Sequence, residues 1–325
     1  MGNVHASSPP PPLTTVPEPP PTPQVPSEPV DDGKSRLSTM EELHKKCKDI
    51  FPMPFDGARI VFNRGLSNHF QINHTASMST MQPSASGYKF GATYVGNQIV
   101  GPGEAYPVLL GDIDPSGNLN ANMLCQFHPR LRTKAVVQIQ DSKTAGYQVS
   151  NDYRGDNYTA SVILGNFDPV TFSGMSIFHY LQPVSPTVDL GAELAVQFGP
   201  AIPDGIISAL SVAGRYTSPD NFILSGTFSP SQLHACYYQK ASDQLQYGVE
   251  VDTNIKMRES YAKFGYQVDL PKMDASFKGS ISSDFGITGV YEKKLAPLPL
   301  ILTLSGHIVH GRNPLYRFGV GLTLG

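Results

Sequence analysis

From about residue 60 onward the sequence runs in segments of roughly ten residues in which apolar and polar side chains alternate with a period of two. In 243–254, Leu245, Tyr247, Val249 and Val251 share one parity, and Gln244, Gln246, Gly248, Glu250 and Asp252 the other. In 187–198, Val188, Leu190, Ala192, Leu194, Val196 and Phe198 alternate with Asp189, Gly191, Glu193 and Gln197. In 261–269, Ala262, Phe264, Tyr266 and Val268 alternate with Lys263, Gly265, Gln267 and Asp269. Successive side chains of a strand point to opposite faces, so each segment reads as a β-strand with one apolar and one wet face. Turn sequences such as Asp114-Pro115-Ser116-Gly117, Gly155-Asp156-Asn157 and Ser218-Pro219-Asp220 separate them. About eighteen such strands fit between residues 66 and 324.

That many two-faced strands need somewhere to put their apolar faces. No long helical pattern is available to cover them. Charged residues make up 16% of the chain, against roughly 25% in soluble globular proteins, and Gly, Ser, Thr, Asn, Gln and Tyr take their place. A sandwich would have to bury every apolar face against another sheet, and a soluble all-β binding protein is the alternative on this pattern. A single closed barrel removes the open edges and turns the apolar faces outward into lipid. The expected fold class is therefore all-β, a transmembrane β-barrel over residues 59–325. A helical membrane protein is excluded: the most apolar stretch, Leu295 to Val309, is too short to span and contains Pro297, Pro299 and His307.

The N-terminal part obeys different rules. Eleven prolines fall in the first thirty residues, and segment 1–38 is expected to be disordered because it cannot bury enough apolar surface to fold. Residues 39–58 should form a helix and linker. Over 39–51, Ser38 with Glu41 fits a capping box, and Lys45, Lys46 and Lys48 lie toward the C-terminal end. Met40, Leu43, Cys47, Ile50 and Phe51 form one stripe, and Pro52 and Pro54 stop the helix.

Composition and motifs exclude several functions. Lys and Arg number 24 against 27 Asp and Glu, a net charge of −3, which supplies no basic face for nucleic acid. Cys47, Cys125 and Cys236 have neither metal-ligand nor disulfide-framework spacing. His69 and His74, five apart in a strand, face opposite ways and cannot share a metal. No nucleotide loop or nucleophile elbow is present, so no enzyme, cofactor or metal site is expected.

The chain end carries a more specific pattern. Arg317-Phe318-Gly319-Val320-Gly321-Leu322-Thr323-Leu324 places a polar residue, a Gly two further on, and apolar residues at the sixth and eighth places. Arg317, Gly319, Leu322 and Leu324 resemble the β-signal read by the sorting and assembly machinery of mitochondrial outer-membrane barrels. Longer stretches are more telling: Gly65-Leu66-Ser67-Asn68-His69-Phe70-Gln71-Ile72-Asn73-His74-Thr75, Lys240-Ala241-Ser242-Asp243-Gln244-Leu245-Gln246-Tyr247-Gly248, Phe264-Gly265-Tyr266-Gln267-Val268-Asp269-Leu270-Pro271-Lys272 and Glu292-Lys293-Lys294-Leu295-Ala296-Pro297-Leu298-Pro299-Leu300. From about residue 39 to the end the chain resembles the channel-forming subunits of the translocase of the outer mitochondrial membrane, within the eukaryotic porin superfamily.

That resemblance implies a nineteen-strand barrel, one strand more than the pattern counts, with first and last strands parallel and the 39–51 helix inside the pore. It implies a passive channel for unfolded precursor proteins, with a metabolite or anion porin of the same architecture as the alternative. The implied partners are those precursors, the receptor and small subunits of the translocase, membrane lipid, and the assembly machinery during biogenesis. Presequences are basic and amphipathic, so carboxylates of the wet face are the expected guides: Asp152, Asp189, Glu193, Glu250, Asp252 and Asp269, with Asp274 also on parity. Lys134, Arg154, Arg215, Lys240, Lys263, Lys278 and Arg317 share that face, so a cross-strand ion pair is the competing role for each carboxylate. Leu124, Val136 and Ile163 interrupt the wet face and offer apolar contacts to a precursor or to the helix.

Overall fold

The structure, a computed structural model, describes residues 38–81, 86–101, 104–141, 143–200, 202, 204–310 and 314–325. Apart from Ser38, the Pro-rich segment expected to be disordered lies outside these residues. The first strands in chain order are β1 (Gly57–Gly65), β2 (Phe70–Met78), β3 (Gly87–Gly101), β4 (Glu104–Ile113) and β5 (Leu119–His128). There follow β6 (Leu131–Gln140), β7 (Lys143–Arg154), β8 (Thr159–Asp168), β9 (Ser173–Ser185) and β10 (Val188–Phe198). Next come β11 (Ile206–Thr217), β12 (Phe222–Phe228), β13 (Gln232–Lys240), β14 (Leu245–Asn254) and β15 (Glu259–Leu270). The last are β16 (Ala275–Ser282), β17 (Gly286–Lys294), β18 (Leu300–Val309) and β19 (Leu315–Leu324).

Each strand pairs antiparallel with the next, and β1 closes the sheet by pairing parallel with β19. An odd number of strands in an up-and-down order leaves the first and last running the same way, so the seam must be parallel. Residues 66–324 hold β2 to β19, the eighteen strands the pattern counts. The nineteenth is β1, which starts before that window at Gly57. Its Ala58, Ile60 and Phe62 take one face, and Arg59, Val61 and Asn63 the other.

Registers propagate one parity around the whole ring, because directly opposed residues share a face. Asp189 faces Arg215, Glu193 faces His179, Glu250 faces Lys263, and Arg317 faces His307, all on the same side of the sheet. The opposite side is apolar and uncovered: Phe318 is 64% and Val320 54% exposed, with Leu190, Leu210, Phe264 and Ile281 also open. No helix among the described residues is long and apolar enough to cross a membrane. Buried apolar side chains are few, and five of them, Met40, Leu43, Cys47, Ile50 and Phe51, come from the stretch before β1.

That stretch departs from the expected 39–51 helix. Only one α-helical turn, α1 (Lys45–Lys48), forms, flanked by turns from 41 to 44 and at 49–50. The cap is also displaced by one residue: the Thr39 backbone N–H donates to Glu42 Oε2 at 3.1 Å, and the Glu42 N–H to the Thr39 carbonyl. Short apolar anchors on a curved wall reward a chain that bends with the wall more than one that keeps helical hydrogen bonds. The predicted stripe is nevertheless the buried face.

Candidate functional site: the inner wall and the segment that crosses it

Residues 40–55 sweep over the inner wall, from β9 and β10 to β19, and then enter β1. Met40 and Leu43 pack with Leu181 of β9 and Ala213 of β11. His44 spans two hydroxyls of β12, with Nδ1 2.8 Å from Ser225 Oγ and Nε2 2.9 Å from Thr227 Oγ1. The Cys47 thiol donates to the carbonyls of Tyr237 and Val249 on β13 and β14. Phe51 lies under the Lys263 ammonium, 4.6 Å from the ring centroid, and Lys278 Nζ donates to the Asp49 carbonyl at 2.7 Å. Further on, the Phe55 N–H donates to Ser305 Oγ on β18 at 3.0 Å.

Inward glycines make room for this path. A Cβ at Gly248 would lie 3.1 Å from Cys47 Sγ and 3.4 Å from Ile50 Cδ1. One at Gly265 would lie 2.6 Å from two ring atoms of Phe51, and one at Gly319 2.4 Å from the Phe55 carbonyl oxygen. The glycines that alternate with Glu250, Lys263 and Arg317 in the sequence are thus seats for the segment. Gly319 and Gly321 also pair with Gly57 and Arg59 at the parallel seam.

Most wall charges fall into two arcs, with Lys278, Glu292 and Arg317 facing inward from β16, β17 and β19. On β1 to β7 the inward charges include Arg59, Lys89, Arg132, Lys134 and Arg154, against Asp112 and Asp152. Asp152 stands in register with Arg132 and Ser161 and has no ion pair among the described residues. The arc from β10 to β15 carries the other five expected carboxylates. Asp189 Oδ2 receives both Nε and Nη2 of Arg215, at 2.9 and 2.6 Å, and is neutralised by that half-buried pair. Glu193 meets His179 at 3.1 Å and Glu250 meets His234 at 2.8 Å. Asp252 accepts from Gln232 Nε2 at 2.9 Å and lies 3.9 Å from His234. Asp269 accepts from Gln267 Nε2, at 3.0 and 3.1 Å, its one side-chain donor among the described residues.

Asp274 does not belong to the wall. It caps the 3-10 turn Pro271–Met273 in a left-handed conformation between β15 and β16; the turn interrupts the strand, and parity counted through it loses its meaning. Ile163 of β8 is buried on the inward side, with Val136 and Leu124 on the same face of β6 and β5. Sequence reasoning missed the group formed by His44, Cys47, His234 and Cys236. Its signal was present as His-x-x-Cys on one segment and His-x-Cys on another, but nothing local says that the two meet.

The structure is a nineteen-strand barrel with a parallel seam and an N-terminal segment held against its inner wall, and comparison with known proteins gives its family. The sequence profile of the eukaryotic porin family matches residues 37–319. The mitochondrial import receptor subunit TOM40 homolog 2 of Drosophila melanogaster is 51% identical over 88% of this chain and 83% of its own length. The TOM40 homologue of Homo sapiens is 46% identical over 88% of this chain and 78% of its own. That of Xenopus laevis is 44% identical over the full length of both. The chain belongs to the TOM40 family of eukaryotic porins. It is a β-barrel of the mitochondrial outer membrane and a channel for protein import, and its uncovered Phe, Tyr, Val and Leu face is the lipid face.

Proposed function

We propose that the channel passes unfolded precursor polypeptides whose leading segments are basic, and that Glu193, Glu250, Asp252 and Asp269 guide them. What supports this is the charge state of the β10 to β15 arc. Among the described residues none of the four has a Lys or Arg ion pair, and two ammonium groups of the neighbouring wall, Lys263 and Lys278, are engaged by the N-terminal segment. An array of carboxylates with weak partners attracts a basic chain and releases it, as transport requires. Asp189 serves instead as a wall strut through Arg215. Asp152, in the basic arc, is a weaker guide.

Precursors, the translocase receptor and small subunits, and the assembly machinery are the partners of this reading. Arg317, Gly319, Leu322 and Leu324 act as the assembly signal, and the same strand then forms the seam with β1. A metabolite or anion porin would need a predominantly basic inner wall, whereas this one is divided.

The test is conductance block in planar bilayers by basic amphipathic peptides and by acidic peptides of equal length. Basic peptides are expected to block at the lower concentration, and Asp252→Lys with Asp269→Lys to weaken that block by about tenfold, roughly 1.4 kcal/mol for two weak contacts. Equal block by both peptides, or block unchanged in the double variant, refutes the guide assignment.

A further inference from the structure

One cluster on the inner wall is chemically unlike the rest. His44 and Cys47, three residues apart on the turn leading into and through α1, project toward the same patch of β13. From that strand His234 and Cys236, two residues apart, rise on the same face. One donor atom each of His44, His234 and Cys236 lies within 4.8 Å of the other two. Cys236 Sγ is 3.9 Å from His234 Nδ1 and 3.7 Å from Nε2. The two imidazoles meet edge to face with centroids 4.5 Å apart, and Cys47 and Cys236 share one buried cluster. Phe51 and Tyr238 close over the thiols, leaving Cys47 3% and Cys236 1% exposed.

We propose that His44, Cys47, His234 and Cys236 form a Cys2His2 site for Zn2+, which staples the N-terminal segment to the wall. Two nitrogens and two sulfurs are the donor set of closed, structural zinc sites. Bond lengths of about 2.0 Å to nitrogen and 2.3 Å to sulfur put tetrahedral donors roughly 3.3–3.8 Å apart, so His44, His234 and Cys236 close by about 1 Å through side-chain rotation, and Cys47 turns its thiol from the Tyr237 and Val249 carbonyls toward them. Outer partners are in place. Glu250 Oε1 takes the His234 Nε2 side at 2.8 Å, which leaves Nδ1 for the metal. His44 exchanges one of its two hydroxyl partners for the ion and keeps the other. Both thiols release their protons to water on binding, and two thiolates neutralise the dication. That balance suits a dry place better than a bare ion would.

A second donor set, His234, Glu250 and Asp252, lies beside the first. The thiols decide between them: Zn2+ prefers sulfur and nitrogen, and a set of two carboxylates with one imidazole is open to harder ions. This inference does not depend on which polypeptides the channel carries, since it concerns only how the segment before β1 is held.

The test uses the full-length, tag-free barrel refolded in detergent, kept reduced with a phosphine and stripped with a chelator. One equivalent of Co2+ should give the intense visible bands of a tetrahedral site and the near-ultraviolet sulfur charge transfer. Zn2+ should displace it, and Zn2+ should protect Cys47 from maleimide until chelator is added. Cys236→Ser and His234→Ala should each weaken binding at least tenfold, while Cys125→Ser on β5 leaves it unchanged. Far-ultraviolet circular dichroism confirms that each variant remains a barrel. His44 lies outside the barrel strands, so His44→Gln provides a second arm, with Cys47 labelling no longer sensitive to Zn2+. Absence of the sulfur band refutes the site. Binding that survives Cys236→Ser but is lost in Asp252→Asn assigns the metal to the carboxylate set and overturns the proposal.

Discussion

The contact of Phe51 with Gly265 sets how firmly the N-terminal segment is held, and replacing that glycine by alanine tests it. The added Cβ would sit 2.6 Å from two ring carbons, where an ordinary carbon contact needs about 3.5–4.0 Å. Both neighbours of Gly265 in register, Gly248 and Ser280, are parts of the wall, so the ring yields rather than the sheet. Phe51 is buried, and its exposure costs about 1.5–3 kcal/mol; the Lys263 contact adds roughly 0.5–1 kcal/mol. Retaining about 2 kcal/mol after partial relaxation, the docking equilibrium falls by roughly 30-fold. The strand itself loses nothing, since alanine is the better residue there by about 0.5–1 kcal/mol.

The assay is maleimide labelling of Cys47 in detergent-refolded protein with chelator present, resolved by peptide mass spectrometry. When reclosing is fast, the labelling rate follows the undocked population, so Gly265→Ala should label about 30-fold faster. Gly279→Ala is the control. Its Cβ meets Tyr266, not the segment, and Cys47 should label as in the parent. A folded Gly265→Ala barrel in which Cys47 keeps the parental rate would refute the idea that the glycine seats the segment.

Three further outcomes follow from the same geometry. Asp189→Asn should lower the unfolding free energy by about 2 kcal/mol, because it strands a half-buried guanidinium. Arg215→Met in that background should recover part of the loss in guanidinium titrations; additive losses would show that the pair is not coupled. Gly57, at a φ of 77°, would place a Cβ 1.8 Å from the Met78 carbonyl oxygen. Gly57→Ala should therefore impair closure of the β1–β19 seam, seen as less heat-modifiable barrel on gels, and normal folding would contradict this. Asp56, ahead of β1, accepts from Ser79 Oγ at 2.6 Å and from the Met81 and Thr80 N–H groups at 3.1 Å. The Ser79 hydroxyl, then these amides, hold its carboxyl below the ordinary value. The ionised carboxylate thus steadies the start of the β2–β3 connection above the ordinary carboxylate pKa, and this support fades as pH falls through the lowered one. Asp56→Asn should remove the protection of the Thr80 and Met81 amides from hydrogen exchange at neutral pH, and unaltered protection would count against it.

Much of this molecule is legible in its residues because alternation is a local property. A period of two in 187–198 or 243–254 assigns each side chain to a face wherever the strand ends up, so Asp189, Glu193, Glu250, Asp252 and Asp269 could be placed on the wet side without knowing their neighbours. The stripe Met40, Leu43, Cys47, Ile50 and Phe51 was equally readable as an apolar face. Asp274 shows where the method stops, since one 3-10 turn resets the count.

Meeting of distant segments is what the sequence alone left open. That β1 lies beside β19 depends on closing the whole ring, a pairing of residues more than 250 positions apart. The shortening of the expected helix to a single turn is decided by the curvature of the wall beneath it. Arg215 cancels Asp189 directly across the register, while Glu250 bonds the diagonal His234 because Lys263, its partner in register, lies over Phe51. His44 and Cys47 reach His234 and Cys236 for the same reason: periodicity sets the side from which a residue projects, and only closure brings two such sides within bonding distance.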